Sequence, residues 1–261
     1  MRPCLMLAAG LMLLTPALAA EAQTAPRAAR SAVSTAVPEY QADQALAAAI
    51  ASPSRPAADR ARDAFRHPEE TLTFWGLTPG LTVVEVQPGS AGWWTAILQP
   101  YAQATGGRYV PANDLAALQA IEPGSADMVL IARAFHNWAR QPGVTDTVLA
   151  AAFRALKPGG VLAVEQHRAV EGLNVADTAP TGYVPESHVI HAAQGAGFVL
   201  DGRSDINANA ADDRDHPFGV WTLPPVRRSS QGERTLTPAE RAAFDAIGES
   251  DRMTLRLRKP A

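Results

Sequence analysis

The stretch Val83-Val84-Glu85-Val86-Gln87-Pro88-Gly89-Ser90-Ala91-Gly92 decides the fold of this chain. An apolar run that contains one acidic residue leads into a turn with two glycines, and Trp93 then opens a helix-like pattern. A buried strand, a tight turn and a helix N-terminus form a cradle for a nucleotide, in which glycines allow close approach and Glu85 accepts hydrogen bonds. Because Pro-Gly-x-x-Gly is not the dinucleotide fingerprint, a strand-to-helix turn that binds nothing is an equal alternative for this motif alone.

Strand-like and helix-like segments alternate after this turn, which predicts a doubly wound, mostly parallel α/β sheet. The predicted strands are 81–86, 108–110, 128–132, 161–165, 198–201 and 253–258, and the helices between them are 92–105, 114–121, 145–156 and 186–196. A late helix begins at Thr237-Pro238, a capping residue followed by a proline at the first helical position. Helices at 40–50, 54–65 and 68–74 precede the first strand and would cover the open side of a ligand pocket.

The first 22 residues have the order of a signal peptide. Arg2 is followed by the apolar run 5–14, which is too short to span a bilayer, and cleavage is predicted after Ala19 or Ala22. An uncleaved membrane anchor is the weaker alternative, because no stop-transfer charge cluster follows the run. We therefore expect a periplasmic or secreted protein with no stable membrane anchor after cleavage.

Cleavage would remove Cys4, the single cysteine of the 261 residues. The mature chain would then have no disulfide, thiolate metal site or cysteine nucleophile. Residues 23–55 are predicted to form a flexible leader and a short helix, and residues 56–261 the main domain. The formal net charge of −3 indicates no broad basic surface, so the expected partner is a small molecule and not a nucleic acid. The sequence predicts no particular oligomeric state.

Seven pieces of the chain together resemble one family. They are Arg66-His67-Pro68, Pro88-Gly89-Ser90-Ala91-Gly92-Trp93-Trp94-Thr95, Phe135-His136-Asn137-Trp138, Leu156-Lys157-Pro158-Gly159-Gly160, Gln166-His167-Arg168-Ala169, Trp221-Thr222-Leu223-Pro224-Pro225 and Asp251-Arg252-Met253-Thr254-Leu255. In this order they resemble the class I S-adenosylmethionine-dependent methyltransferases, and more narrowly a group of exported, predicted methyltransferases. The pieces extend over most of the chain after the leader.

The resemblance implies a Rossmann-like methyltransferase fold, with a seven-stranded sheet and one antiparallel strand near the edge, here 253–258. It also implies that S-adenosylmethionine binds at the carboxyl ends of the first, second and fourth strands. The residues that match the first of these positions are Glu85, Pro88, Gly89 and Gly92. Asp114 is the candidate for the acidic group that holds the ribose hydroxyls, and a helix cap before Leu115 is the alternative for it.

The chain departs from this family between residues 110 and 128. Once the short helix and its loop are subtracted, fewer than a dozen residues remain, and a parallel crossover generally needs a dozen or more. The full fold places another strand and helix there. We therefore expect the third strand to be missing or reduced, which would shorten the adenine side of the cofactor site.

His136, Asn137 and Trp138 follow the predicted strand 128–132, at the sheet edge where parallel α/β folds bind ligands. In a methyl transfer His136 would be the general base, Asn137 would orient a substrate or cofactor group, and Trp138 would contact the positive sulfur through its ring face. The equal alternative is that His136 and Asn137 cap a turn while Trp138 is part of the core.

His167 follows the strand 161–165 at the same edge, with Arg168 beside it. Two histidines at neighbouring strand ends are expected to face one cleft, which favours a shared catalytic role for His136 and His167. A zinc or iron site that adds Glu165 or His188 is a weaker alternative, because the spacing is not diagnostic, and no metal is predicted.

Two functional hypotheses result. The first is an S-adenosylmethionine-dependent methyltransferase that acts on an unidentified small molecule. The alternative is a catalytically inactive, methyltransferase-like periplasmic binding protein, favoured by the short adenine side and by a cofactor that is made in the cytoplasm. The polar groups at Glu85 and in 136–138 favour the enzyme. The chain has no Gly-x-Ser-x-Gly elbow and no phosphate-loop lysine motif, so neither an ordinary hydrolase triad nor a P-loop site has support.

Overall fold

The computed structural model describes residues 43–261. The predicted signal peptide and the leader up to residue 42 lie outside the described residues, so cleavage and export stay predictions. Within the described residues, no helix is both long enough and apolar enough to span a bilayer.

The described chain alternates strands and helices. The strands are β1 (Thr82–Val86), β2 (Arg108–Ala112), β3 (Ala126–Ala132), β4 (Leu156–His167), β5 (Val199–Ser204), β6 (Pro217–Val220), β7 (Ser230–Gln231), β8 (Arg234–Thr235) and β9 (Arg252–Arg258). The helices are α1 (Gln44–Ala51), α2 (Ala57–Arg60), α3 (Asp63–Arg66), α4 (Pro68–Trp75), α5 (Thr95–Thr105), α6 (Leu115–Gln119), α7 (Phe135–Trp138), α8 (Val144–Ala155), α9 (Val175–Thr178), α10 (Glu186–Gly195) and α11 (Pro238–Ile247).

Six strands form one sheet in the order β2-β1-β3-β4-β9-β5. β1 pairs in parallel with β2 and β3, and β3 pairs in parallel with β4. β9 runs antiparallel to both of its neighbours, β4 and β5. The prediction of a mostly parallel sheet with an antiparallel strand near its edge is confirmed.

Both faces of the sheet are covered because its central strands are apolar on both. Along β1, Val83 and Val84 belong to two different clusters of buried side chains. The cluster of Val83 includes Leu72 from α4 and Ile97 from α5, and the cluster of Val84 includes Leu149 from α8. Strands buried on both faces carry apolar side chains in consecutive positions, as Val83 and Val84 do, so the doubly wound arrangement follows from them.

Between β2 and β3 the described chain forms α6 as its only helix and adds no strand. As a result β2 lies at the edge of the sheet and pairs with β1 alone. The expected loss of the third strand is confirmed, and the sheet has six strands where the resemblance implies seven.

Helix α1 lies where the end of the leader is predicted, and it packs on the main unit. Leu46 and Ala49 are buried in the same cluster as Leu72. The hydroxyl of Tyr101 in α5 donates to Asp43 Oδ2 at 2.6 Å, just before the helix begins. Helix α1 therefore belongs to the same compact unit as the sheet.

Two predicted elements differ from the structure. The helix predicted at 54–65 is split into α2 and α3, and at the break Arg62 Nε donates to Glu249 Oε1 at 2.6 Å, a distant contact that no local pattern shows. The turn predicted at 157–160 is instead the start of β4, because Gly159 and Gly160 exchange backbone hydrogen bonds with Lys259.

Candidate active site

The turn after β1 leaves an open space beside Gly89. Gln87, Gly89 and Gly92 have positive φ angles of 50°, 72° and 52°. A Cβ on Gly89 would meet nothing within 4 Å, whereas one on Gly92 would meet the side chain of Thr95 at 3.4 Å. A left-handed backbone at a non-glycine residue such as Gln87 is strained, and strain of this kind is concentrated at functional sites.

Glu85 holds the base of this turn together. Its buried carboxylate accepts hydrogen bonds from Thr95 Oγ1 at 2.9 Å and from the hydroxyl of Tyr109 at 2.8 Å. Burial raises the pKa of Glu85, and the two hydroxyl donors act against that rise. The side chain ties α5 and β2 to the end of β1 and does not line the neighbouring cavity, so its contact with a cofactor stays a prediction.

A cavity of about 240 Å³ lies beside the turn, at the carboxyl ends of the parallel strands. Its wall brings together Gln87, Pro88 and Gly89 of the turn, both predicted histidines, three arginines and part of the segment 220–226. Pockets that bury drug-sized ligands hold about 300–1,000 Å³. The cavity therefore suits a small molecule or one end of a larger one.

Both predicted catalytic histidines line this cavity. The ring centroids of His136 and His167 are 6.2 Å apart, and the planes are inclined by 51°. The prediction that the two side chains face one pocket near the turn is confirmed, while their roles in catalysis stay predictions.

His136 is neutral near pH 7. Burial, and after it the charge of Arg140, lower the pKa of His136 to about 4. Its Nδ1 lies 3.5 Å from Gln166 Nε2, and the edge-on indole of Trp221 is 5.8 Å away between centroids. A neutral imidazole keeps a lone pair, so His136 can accept a proton from a bound molecule.

His167 is held more tightly. Its Nδ1 lies 2.5 Å from Ser250 Oγ. Burial, and after it the charge of Arg252, lower the pKa of His167 well below its ordinary value. The short contact fixes one ring nitrogen, which suits His167 to orienting a ligand.

Three arginines line the cavity, and no carboxylate of the described chain does. Arg66 ends α3, Arg133 follows β3 and Arg252 starts β9. Behind them lie the buried carboxylates of Glu165 and Glu249. Burial alone would raise the pKa of Glu249, but the surrounding guanidinium groups, that of Arg252 foremost, hold it at about 2.

The structure does not bring Gly92, Asp114, Asn137 or Trp138 to the cavity wall. Asp114 Oδ1 accepts the backbone N–H of Ala117 at 2.7 Å, so Asp114 caps α6, as its alternative interpretation has it. Its contact with a ribose stays a prediction.

Asn137 and Trp138 have protein partners of their own. Asn137 Oδ1 accepts a hydrogen bond from Arg140 at 2.8 Å. Trp138 is 4% exposed and packs edge-on against Phe135 at 5.3 Å between centroids, which is the core position of its alternative interpretation. Because α7 directs Trp138 inward, Trp221 is the tryptophan that reaches the cavity.

Sequence reasoning missed Arg133, Arg252 and Trp221 as site residues. Arg252 and Trp221 lie within pieces that carry the family resemblance. Arg133 directly follows an apolar strand, and a charge at the carboxyl end of a parallel strand is a usable signal. The overall net charge of −3 gives no indication of the two arginines, because a sum over the whole chain does not show a local excess of positive charge.

Asp212, Asp213 and His216 form a separate cluster whose ligand atoms lie within 4.8 Å of one another. Asp212 Oδ1 is 2.7 Å from His216 Nε2, and Oδ2 accepts the backbone N–H of Asp251 at 2.8 Å. The hydroxyl of Tyr183 also donates to this carboxylate. These contacts satisfy Asp212 without an ion.

Comparison with protein-family models finds no match, and comparison with curated proteins finds none either. Among solved structures, the chain is similar to an S-adenosylmethionine-dependent methyltransferase from Aquifex aeolicus, with 12% identity and a TM-score of 0.48 over 77% of this chain and 94% of the other. It is similar to the (4+2)-cyclase SpnF, with 16% identity and a TM-score of 0.47 over 78% and 82% of the two chains. It is also similar to the cyclopropane synthase MmaA2 from Mycobacterium tuberculosis, with 16% identity and a TM-score of 0.41 over 73% and 82%. At identities and TM-scores this low, none of these likenesses assigns an activity to the chain.

Proposed function

We propose that this chain is an exported S-adenosylmethionine-dependent methyltransferase that acts on a small molecule in the periplasm or outside the cell. The observation that supports this most is the meeting of His136 and His167 on one cavity beside the turn at Gly89. Two neutral imidazoles beside this turn support the proposal, because they would stand next to a cofactor bound there.

The turn after β1 would hold the amino-acid part of this cofactor, and Asp114 after β2 would hold its ribose. Gly89 leaves open space where a side chain would otherwise stand, on the cavity itself. Asp114 follows the neighbouring β2 and uses Oδ1 for its helix cap, which leaves Oδ2 of an exposed carboxylate for a ribose hydroxyl. Since the third strand is missing, the cofactor would be held mainly by the turn and by Asp114.

S-adenosylmethionine supplies a methyl group on a positively charged sulfur. Methyl transfer is an in-line displacement, so the main task of the chain is to align the acceptor. His136 takes the proton of the accepting atom, because its imidazole is neutral and faces the cavity. His167, fixed by Ser250, orients the acceptor, and Trp221 walls the cavity beside His136.

Calorimetry with S-adenosylhomocysteine tests the proposal. We expect the mature protein to bind it, and Gly92→Val to weaken binding, because the residue has a φ of 52° and its side chain would press on Thr95. Gly124→Val is the matched control: its φ is 64°, a Cβ there meets nothing within 4 Å, and it precedes β3 at the opposite end of the strand.

Equal affinities in the two folded variants would place the cofactor elsewhere. If the wild type binds neither S-adenosylmethionine nor S-adenosylhomocysteine, the methyltransferase proposal falls. The inactive binding protein is then the better hypothesis.

A further inference from the structure

The cavity wall carries more positive than negative charge. Arg66, Arg133 and Arg252 line it. Glu249 accepts a hydrogen bond from Arg66 Nε at 2.8 Å and pairs with Arg252 Nη2, and Glu165 Oε1 lies 3.2 Å from Arg252 Nε. Arg133 has neither carboxylate within ion-pair distance, and Glu249 also pairs with Arg62 outside the cavity wall. The three guanidinium groups of the wall therefore share fewer than two full counter-charges.

The same arginines keep donors that nothing in the described chain uses. Nη1 and Nη2 of Arg66, Nε of Arg133 and Nη1 of Arg252 are buried without a hydrogen-bond partner. A buried charged donor without an acceptor is strongly unfavourable. Burial, and then the charges of Arg133 and Arg252, lower the pKa of Arg66. The repulsion between these arginines reflects the excess of positive charge on the wall. The wall therefore lacks an acceptor that a bound anion would supply.

The protein holds the guanidinium groups of Arg66 and Arg252 and the backbone of Arg133 in place. That of Arg66 lies over the ring of Trp93, 4.8 Å from its centroid. Arg133 has a φ of 58°, and its backbone N–H donates to Glu165 O at 2.7 Å. Fixed guanidinium forks match the paired oxygens of a carboxylate or a phosphate, and little rotamer freedom is lost when the anion binds.

We propose that Arg66, Arg133 and Arg252 bind an anionic group of the methyl acceptor, so that the substrates are small organic acids or phosphate esters. This inference rests on the proposed methyltransferase function. The acceptor is the better source of the anion than the cofactor, because S-adenosylmethionine carries an ammonium and a sulfonium against one carboxylate. Its net positive charge would add to the excess on the wall, whereas an anionic acceptor offsets it.

The first test titrates the cofactor-free mature protein with inorganic phosphate and with acetate at constant ionic strength. We expect one of the two anions to bind. Arg133→Gln should weaken that binding about tenfold or more, because the paired, charge-assisted hydrogen bonds of one guanidinium group are lost. Arg133 lies outside the ion pairs of the two glutamates, so this variant leaves those pairs intact. Arg133→Lys keeps the charge and should restore part of the affinity, and Arg203→Gln, at an exposed ion pair with Glu186, should bind like the wild type.

A folded wild type that binds neither anion, or an Arg133→Gln variant that binds both as well as the wild type does, would overturn the inference. Circular dichroism of each variant shows whether it is folded. If only Arg133→Gln fails to fold, the test rests on Arg133→Lys. Full wild-type affinity for both anions in Arg133→Lys would contradict anion binding by the guanidinium group of Arg133.

The second test titrates S-adenosylhomocysteine with and without saturating anion. Unchanged or tighter cofactor binding supports an acceptor site, whereas competition would show that the arginines hold the carboxylate of the cofactor and would overturn the assignment. If the protein binds the cofactor but neither anion, the methyltransferase proposal stands and the inference of an anionic acceptor is overturned. Anion binding without cofactor binding overturns the proposed function, and the acceptor assignment falls with it.

Discussion

His136 and His167 lie with their ring centroids 6.2 Å apart although each follows a different strand. His167 is the last residue of β4, and His136 follows β3 in the short helix α7. Because β3 and β4 are adjacent and parallel, their carboxyl ends deliver both rings to one edge of the sheet. The two rings differ in restraint: His167 contacts Ser250 at 2.5 Å, while His136 has a contact of 3.5 Å with Gln166.

This difference predicts unequal effects on turnover. His136→Ala should lower the rate of S-adenosylhomocysteine formation roughly 10²–10⁴-fold, the usual range for loss of a general base. His167→Ala should have a smaller effect on rate and a larger one on acceptor affinity, because it removes a positioning group. His191→Ala, an exposed change in α10, is the control. Full activity of His136→Ala would exclude it as the base.

The same burial predicts a loss of stability in acid. The pKa of His136 is about 4 in the folded chain against an ordinary value of 6.5. Between these values the unfolded chain binds more protons, so the free energy of unfolding falls as the pH drops from 6.5 towards 4. The full loss is roughly 3 kcal/mol.

His136→Gln isolates this effect, because glutamine takes up no proton in this range. The charged groups Arg133 and Arg140 and the titratable ring of His167, which face His136, stay in place in the variant. Urea unfolding at pH 7 and at pH 4.5 should show the wild type losing more stability than the variant. The same pH dependence in both proteins would mean that His136 is protonated in the folded state at its ordinary pKa.

Gly219 should be intolerant of a side chain, because β6 leads directly into the cavity wall at Val220 and Trp221. Its φ is 59°, and a Cβ would lie 2.3 Å from the carbonyl oxygen of Thr181. Gly232 has a φ of 58° and no atom within 4 Å of a Cβ. Alanine at either position incurs about 1–2 kcal/mol for the left-handed backbone. Gly219→Ala should lose a further ~1–3 kcal/mol in urea unfolding, because the carbonyl must move. Equal losses would show that this wall shifts freely.

Much of the sheet could be predicted from the sequence because its physical causes are local. β1 and β3 are mostly apolar, and the turn at Gly89 follows from residues next to one another. The missing third strand was also predictable, because the chain between β2 and β3 is too short for a crossover. The ends of elements were less accurate wherever a distant contact decides them, as Arg62 does at the break between α2 and α3.

The arginine wall could not be predicted in the same way. Arg66, Arg133 and Arg252 come from three distant parts of the chain. The sheet order brings Arg133 and Arg252 together, and Arg66 in α3 joins them through its contact with Glu249. Likewise, Trp138 and Trp221 each lie within a piece of sequence that carries the family resemblance. Which of them is core and which lines the cavity depends on the direction of α7, and that is a result of packing.

Glu249 should be the most costly charge to remove near the site. Its buried carboxylate accepts hydrogen bonds from Arg62 Nε at 2.6 Å and from Arg66 Nε at 2.8 Å, and it also pairs with Arg252. In Glu249→Gln these guanidinium groups stay buried with one counter-charge fewer. Breaking a buried pair by removing one partner destabilises a protein by roughly 3–5 kcal/mol, and we expect a loss of this size in urea unfolding at pH 7.

Asp245→Asn is the matched control, because Asp245 accepts two hydrogen bonds from Arg227 at the protein surface and exposed pairs contribute little. Added phosphate should recover more stability in Glu249→Gln than in the wild type or in Asp245→Asn, since an anion bound at the arginine wall replaces part of the missing charge and stabilises the folded state by mass action. Similar small losses in both variants would mean that Glu249 does not neutralise the arginines. An equal response to phosphate in all three proteins would place the phosphate site away from the wall.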